Sequence, residues 1–153
     1  MAGENVKIVT ENRKARHNYH IDEQFEAGMV LTGTEVKSLR LGRANLKDAY
    51  AKVVNGEVFL YQMHISPYPF AHYDNHAPLR PRKLLLHAHE IKRLYGKVNE
   101  KGYALVPLRI YFKRGKAKAV IALARGKRSY DKREAIRKRD ETRELDRARK
   151  ERG

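Results

Sequence analysis

No cysteine occurs anywhere in the 153 residues, which excludes disulfide frameworks, thiolate zinc sites and cysteine nucleophiles together. No apolar run approaches the length of a membrane span, and the opening MAGENVKIVT lacks the apolar stretch of a signal peptide. The expected location is the cytoplasm. Acidic residues are scarce: 18 Asp and Glu stand against 34 Lys and Arg, a formal net charge of +16. A surplus of that size says nothing of fold, but it favours nucleic acid or an anionic membrane as partner. The membrane is the weaker choice, because the most basic segment has no broad apolar face to insert.

That segment is 125–153, with 13 Lys and Arg against 7 Asp and Glu. Only Tyr130, Ile136 and Leu145 are large and apolar there, too few to build a core. Such a tract is expected to stay disordered until a polyanion compensates its charge. Written as a helix, Ile136, Arg139, Arg143 and Arg147 share one face, spaced to meet phosphates along a groove. Pairs such as Glu134–Lys138 and Asp140–Glu144 mix attraction with repulsion, so the helix is expected only in the bound state. The tail's six surplus charges leave ten of the +16 on residues 1–124, so the preceding part is basic in its own right. The expected organisation is one folded domain over 1–124 and a basic tail over 125–153.

Within 1–124, Val6, Ile8 and Val9 suggest a little order near the start. Strand-like pieces fall around 19–25 and 28–32. Val36, Leu39 and Arg40 space as one face of a short helix over 35–41, ended by Gly42. Asn55-Gly56 marks the clearest hairpin, over 46–60, because both residues accept the positive φ of a type I′ turn. Four of the five prolines, Pro67, Pro69, Pro78 and Pro81, lie in a loop over 66–81 with His72, Asn75 and His76. Proline lacks the amide donor a central strand needs. Leu84, Ala88, Ile91 and Tyr95 recur at helical spacing, with Leu85 and Leu94 widening the stripe; this predicts a helix over 82–95 capped by Gly96. Two more strands, 103–112 and 117–124, flank Lys113-Arg114-Gly115-Lys116. Five or six short strands and a packed helix predict a mainly β fold, a small antiparallel barrel with peripheral helices.

Little here suggests catalysis or a bound cofactor. His87 and His89 have a spacing some metal sites use, but two positions apart on a helix they diverge, and no HExxH is present. The Gly-Lys pairs at Gly96, Gly115 and Gly126 lack P-loop spacing and read as turns, and Ser38 and Ser66 have no nucleophile-elbow pattern. Basic clusters are more telling. Arg13, Lys14 and Arg16 precede His17-Asn18-Tyr19-His20, joining phosphate-seeking charge to rings that can stack. Lys37, Arg40 and Arg43 form a second group, and Arg80, Arg82 and Lys83 a third. Tyr61, Tyr103, Tyr111 and Phe112 lie in strands and read as core. An RNA partner would be met through shape and unpaired loops, since the A-form major groove is too narrow to read. These features alone stop at a barrel for RNA or DNA with a basic tail.

Six segments go further. Asn12-Arg13-Lys14-Ala15-Arg16-His17, Phe25-Glu26-Ala27-Gly28, Gly33-Thr34-Glu35-Val36-Lys37-Ser38-Leu39-Arg40, Arg82-Lys83-Leu84-Leu85-Leu86, Val106-Pro107-Leu108 and Leu123-Ala124-Arg125-Gly126-Lys127 occur in this order. Together they resemble the bacterial SsrA-binding protein (SmpB) family over essentially the whole chain. The resemblance implies an oligonucleotide-binding-type (OB-like) barrel with peripheral helices. With no catalytic motif in view, the chain is expected to be no enzyme, and a monomer is expected. The resemblance also implies transfer-messenger RNA as partner, bound at its tRNA-like domain and delivered to stalled ribosomes, so that the nascent peptide is tagged and the ribosome released. The implied RNA-binding surface comprises Asn12, Arg13, Glu26, Lys37 and Leu85, to which the basic clusters add Lys14, Arg16 and Arg40. Gly126, Lys127, Arg128, Tyr130, Asp131, Lys132 and Arg133 match the family's tail motif, and Lys138, Arg139 and Arg143 continue it. That tail is implied to enter the decoding region and vacant message channel of the small subunit. Arg128 replaces a common lysine and keeps its charge; Tyr130 keeps an aromatic.

Glu26 is an acid on a basic surface. It reads either as a salt-bridge partner or as an acceptor for a base edge or 2′-OH. Leu85, beside the Leu84 stripe, reads equally as core or as RNA contact. Two other functions remain open: a general or ribosomal RNA-binding protein, and a zinc hydrolase using His87 and His89.

Overall fold

The computed structural model describes residues 6–72, 74–100 and 102–127. Strand β1 (Val6–Glu11) leads through the one-and-a-half-turn helix α1 (Arg13–Asn18) into the long β2 (Tyr19–Met29). Helix α2 (Gly33–Arg40) follows, then β3 (Ala44–Asn45), the hairpin β4 (Tyr50–Val54) and β5 (Glu57–Tyr61), and β6 (His64–Ile65). After the proline-rich loop come β7 (Arg82–Leu85), helix α3 (Ala88–Val98), β8 (Tyr103–Lys113) and β9 (Lys116–Gly126).

Strands β8, β4, β5, β7, β2 and β9 pair antiparallel in that order, and β9 pairs back onto β8 to close a six-stranded ring. The expected mainly β barrel with peripheral helices is the fold found. Closure pairs β9 with β8 and so covers one edge of each of the two longest apolar strands. Strand β1 lies outside the ring and continues the sheet along the second half of β8.

The alternation along β9 explains why its sequence is a nearly unbroken apolar run. Ala119, Ile121 and Leu123 point into the barrel with Leu60, Leu84 and Ile110, whereas Val120, Ala122 and Ala124 point outward. The outer set is itself buried, beneath Ala15 of α1 and beside Val106, Leu108 and Tyr111 of β8. A strand buried on both faces has no polar phase to show. Each fully buried Leu or Ile contributes about 1.5–3 kcal/mol to such a core. In β8 the register slips at Pro107–Arg109. That bulge moves the inward phase from Leu105 to Ile110 and Phe112, and it places Pro107 where no ladder donor is needed.

The type I′ turn appears where expected, with Asn55 and Gly56 at φ 50° and 75°. Gly42 (φ 72°) ends α2, its amide donating to Leu39 O at 2.9 Å. The expected helix over 82–95 is corrected: its first four residues are strand β7, and the helix runs from Ala88 past Gly96 to Val98. The three leucines fit either period. What decides is the space between β5 and β2, which β7 fills with Arg82 and Leu84 inward and Lys83 and Leu85 outward. Gly96 therefore sits inside α3 and Gly126 ends a strand, so only Gly115 of the three Gly-Lys pairs is a turn. Helix α1 had no periodic signal, being held by the single buried foot Ala15. No helix among the described residues is long and apolar enough to cross a membrane.

Candidate nucleic-acid interface

Helix α1 buries Ala15 and leaves Arg13, Lys14 and Arg16 exposed around it. Its position is set by Asn12, whose backbone amide donates to Leu108 O at 2.7 Å and whose side-chain amide donates to Pro107 O at 3.1 Å. Both acceptors belong to the β8 bulge, so one residue satisfies the bulge and aims the cations. Between α1 and residues 47–50 lies a cleft of about 340 Å³, lined by Asn12, Lys14, Asn18, Lys47 and Tyr50 among others.

A second concavity, about 570 Å³, opens farther along β2 and is lined by Glu26, Gly28, Leu85, Val36, Phe112 and Lys118 among others. Glu26 and Leu85 thus share one groove. Leu85 is 52% exposed, which removes its reading as core and follows from the outward phase of β7. Glu26 accepts a hydrogen bond from the Tyr111 hydroxyl and lies 3.6 Å from Lys113 Nζ. The Tyr111 bond holds the Glu26 carboxyl below its ordinary value, against the opposing effect of burial and with the support of Lys113 and Lys118. The salt-bridge reading of Glu26 is therefore met, and its exposed side still faces the groove. Replacing Tyr111 by Phe is expected to raise the Glu26 pKa toward the ordinary carboxylate value, as read by NMR titration of its side chain; an unchanged titration would contradict the role given to Tyr111.

Sequence reading missed Tyr111 and the lysines here. Tyr111 is buried, as expected of core, but its hydroxyl bonds Glu26, a lining residue of the groove. Lys116 and Lys118 were legible in principle, because Lys-Ala-Lys-Ala at 116–119 puts both lysines on one face of a strand.

Helix α2 carries Lys37 and Arg40 on its exposed side, three positions apart and hence adjacent. Lys37 Nζ lies 5.6 Å from the Tyr68 ring centroid and the Arg40 guanidinium 5.4 Å from that of Phe112, a lining residue of the Glu26–Leu85 groove. The opposite side of α2 buries Glu35, Ser38 and Leu39. Glu35 is wholly enclosed. It accepts from Arg82 Nε at 2.6 Å, from Arg80 Nη2 at 2.5 Å and from the Thr32 amide at 2.9 Å. Arg82 is equally buried and also donates to Met63 O at 2.5 Å and Pro78 O at 3.1 Å.

This breaks up the third basic cluster. Arg82 is spent inside the protein, Arg80 is drawn to the enclosed Glu35, and Lys83 stays part-exposed, in a surface pair with Glu57 at 3.0 Å. Sequence alone could not foresee it, since the partner of Arg82 lies 47 positions away. Burial pushes the Glu35 carboxyl up, but the bonds from Arg80, the Thr32 amide and Arg82 outweigh it and bring the pKa down to about 2.

Of the tail, Gly126 pairs with Tyr19 at the end of β9 and Lys127 follows it. Arg128, Tyr130, Asp131, Lys132, Arg133, Lys138, Arg139 and Arg143, with the expected bound helix, lie outside the described residues. His87 does not share a helix with His89; it precedes α3 as its N-cap, and the two rings stack at 5.6 Å. Among the described residues no three His, Asp or Glu side chains gather as a metal site would require.

Two cationic edges and a lysine-lined groove on a closed OB-like barrel define the class: a small nucleic-acid-binding barrel protein. The profile of the SmpB protein family matches residues 9–151. The chain belongs to that family. It is 63% identical over 149 residues to the SsrA-binding protein of Syntrophobacter fumaroxidans, covering 97% of this chain and 92% of that one. It is 62% identical over 151 residues to the SsrA-binding protein of Moorella thermoacetica, covering 98% and 97%. A chain in a solved structure described as "tmRNA-SmpB: a journey to the center of the bacterial ribosome" is 53% identical with a TM-score of 0.65, covering 83% of this chain and 93% of that one.

Proposed function

We propose that this chain binds the tRNA-like domain of transfer-messenger RNA and delivers it to stalled ribosomes for peptide tagging and ribosome rescue. The observation that carries the reading is that the family match spans barrel and tail alike, from residue 9 to residue 151. The protein is read as a binding factor, monomeric and cytoplasmic, that performs no chemistry of its own. Asn12, Arg13, Lys14 and Arg16 at α1, Glu26 and Leu85 in the groove, and Lys37 and Arg40 on the exposed side of α2 are proposed as the RNA-binding surface. Exposed cations supply phosphate contacts, and Glu26 and Leu85 supply an acceptor and an apolar face for an unpaired base or a 2′-OH. The roughly 20 Å along β2 between α1 and Glu26 suits a folded RNA elbow better than a single phosphate site. The tail from Gly126 onward, through Lys127, Arg128, Tyr130, Asp131, Lys132, Arg133, Lys138, Arg139 and Arg143, is proposed to enter the vacant decoding site and message channel.

The test compares affinity for transfer-messenger RNA with that for an unrelated structured RNA of equal length at one stated salt concentration. Preference for the first by at least about tenfold, roughly 1.4 kcal/mol, is expected. Equal affinities would reduce the protein to a general RNA binder.

A further inference from the structure

The loop after β6 is built with more care than a connection needs. Its ends meet, Ile65 N donating to Pro78 O at 3.0 Å, while Ser66 N donates to Arg43 O at 3.0 Å. Inside it, the Asn75 side chain bonds Tyr68 in both directions: Tyr68 N donates to Asn75 Oδ1 at 2.9 Å and Asn75 Nδ2 donates to Tyr68 O at 2.8 Å. At its base the buried His76 ring bridges Thr34 Oγ1 at 2.9 Å and Ile65 O at 2.8 Å. Behind it stands the Glu35 clamp, which Arg80 and Arg82 reach from the loop's C-terminal end. Pro67 and Pro69 fix the backbone on either side of Tyr68. Closed, self-packed loops of this length are frequently functional.

What this frame presents is aromatic. Phe70 is 67% exposed, the most exposed large apolar side chain among the described residues, and meets Tyr68 edge-on at 5.6 Å. Lys37 stands over the Tyr68 ring, and Arg40 and Arg43 lie exposed on and just after the same helix. Asp74 is the only acid in residues 66–81. A ring this exposed leaves apolar surface in water, and the cations beside it would repel a basic partner and attract a polyanion.

We propose that Phe70 and Tyr68, with Lys37 beside them, form a stacking platform for one unpaired base of an RNA, a contact separate from the Glu26–Leu85 groove. The ring face takes the base, which is sequence-tolerant because every base has a π-face, and Lys37 takes the adjoining phosphate. The platform rests on the reading of the chain as an RNA binder. The base could come from transfer-messenger RNA or from ribosomal RNA.

Full-length Phe70→Ala, Phe70→Leu and Phe70→Trp proteins are titrated separately against transfer-messenger RNA and against small ribosomal subunits. The parent's affinity reports on RNA binding as such, and the variant-to-parent ratio reports on the platform. In at least one arm, Ala and Leu are expected to weaken binding by about 5- to 100-fold while Trp stays within about threefold, and that arm identifies the source of the base. Unfolding midpoints of all three should match the parent, as befits so exposed a side chain. Ala within about twofold of the parent in both arms overturns the proposal. So does full affinity retained by Leu, which would mark an apolar protein contact, and so does a loss shared by Trp, which would mark a shaped pocket.

Discussion

A chain ending at Gly126 is expected to give no detectable peptide tagging, yet to hold transfer-messenger RNA within about threefold of the full-length affinity. The barrel keeps both cationic edges and the groove, and ten of the +16 charges fall on residues 1–124. The cut belongs after Gly126 rather than after Ala124, because β9 runs on through Arg125 and Gly126. Arg125 is paired with Asp22 at 3.2 Å, and Gly126 is in register with Tyr19, so a shorter chain would confound loss of the tail with damage to the barrel. Tagging measured in a reconstituted stalled-translation reaction decides the matter. Substantial tagging by the truncated chain would remove the tail from the mechanism.

The second large effect is expected at Glu35. Replacement by Gln should lower unfolding free energy by about 3–5 kcal/mol, because it leaves the charge of Arg82 enclosed without its counter-ion. That is a large share of the 5–15 kcal/mol typical of a domain. The pair also confers a pH dependence. With a folded pKa of about 2, well below that of an unfolded glutamate, Glu35 contributes its full stabilisation above pH ~5. The contribution, about 3 kcal/mol, is lost as pH falls from ~4.5 towards 2. Chemical denaturation from pH 7 to 2.5 should show this acid limb in the parent and a shallower one in Glu35→Gln. RNA affinity should fall too, since the opposite side of the same helix carries Lys37 and Arg40. Equal stabilities at neutral pH would contradict the enclosed Glu35–Arg82 pair as a stabilising contact.

Much of this was legible where a local signal coincided with the tertiary need. Asn55-Gly56 gives the type I′ turn, and the apolar runs of 103–112 and 117–124 read as the two strands found, although their burial on both faces came only from the structure. Failures came where distant partners decided. Leu84, Leu85 and Leu86 satisfy a helical period, and only the gap between β5 and β2 makes a strand of 82–85. Arg80 and Arg82 looked like phosphate ligands because nothing in the sequence ties them to Glu35. The family resemblance grouped Glu26 with Leu85, residues 59 positions apart that line one groove, whereas spacing alone gave no reason to join them. Asn12 proved double in role, an RNA-facing candidate that also satisfies the β8 bulge.

In the proposed division of labour the barrel holds the RNA and leaves the tail for a second partner. Its most direct test is the salt dependence of transfer-messenger RNA affinity for the full chain and the chain ending at Gly126. Each phosphate contact adds about 0.7–0.9 to the slope of log affinity against log salt. The two slopes are expected to agree within about one contact. A slope reduced by several contacts in the shorter chain, with affinity lost in proportion, would make the tail the anchor and contradict the account.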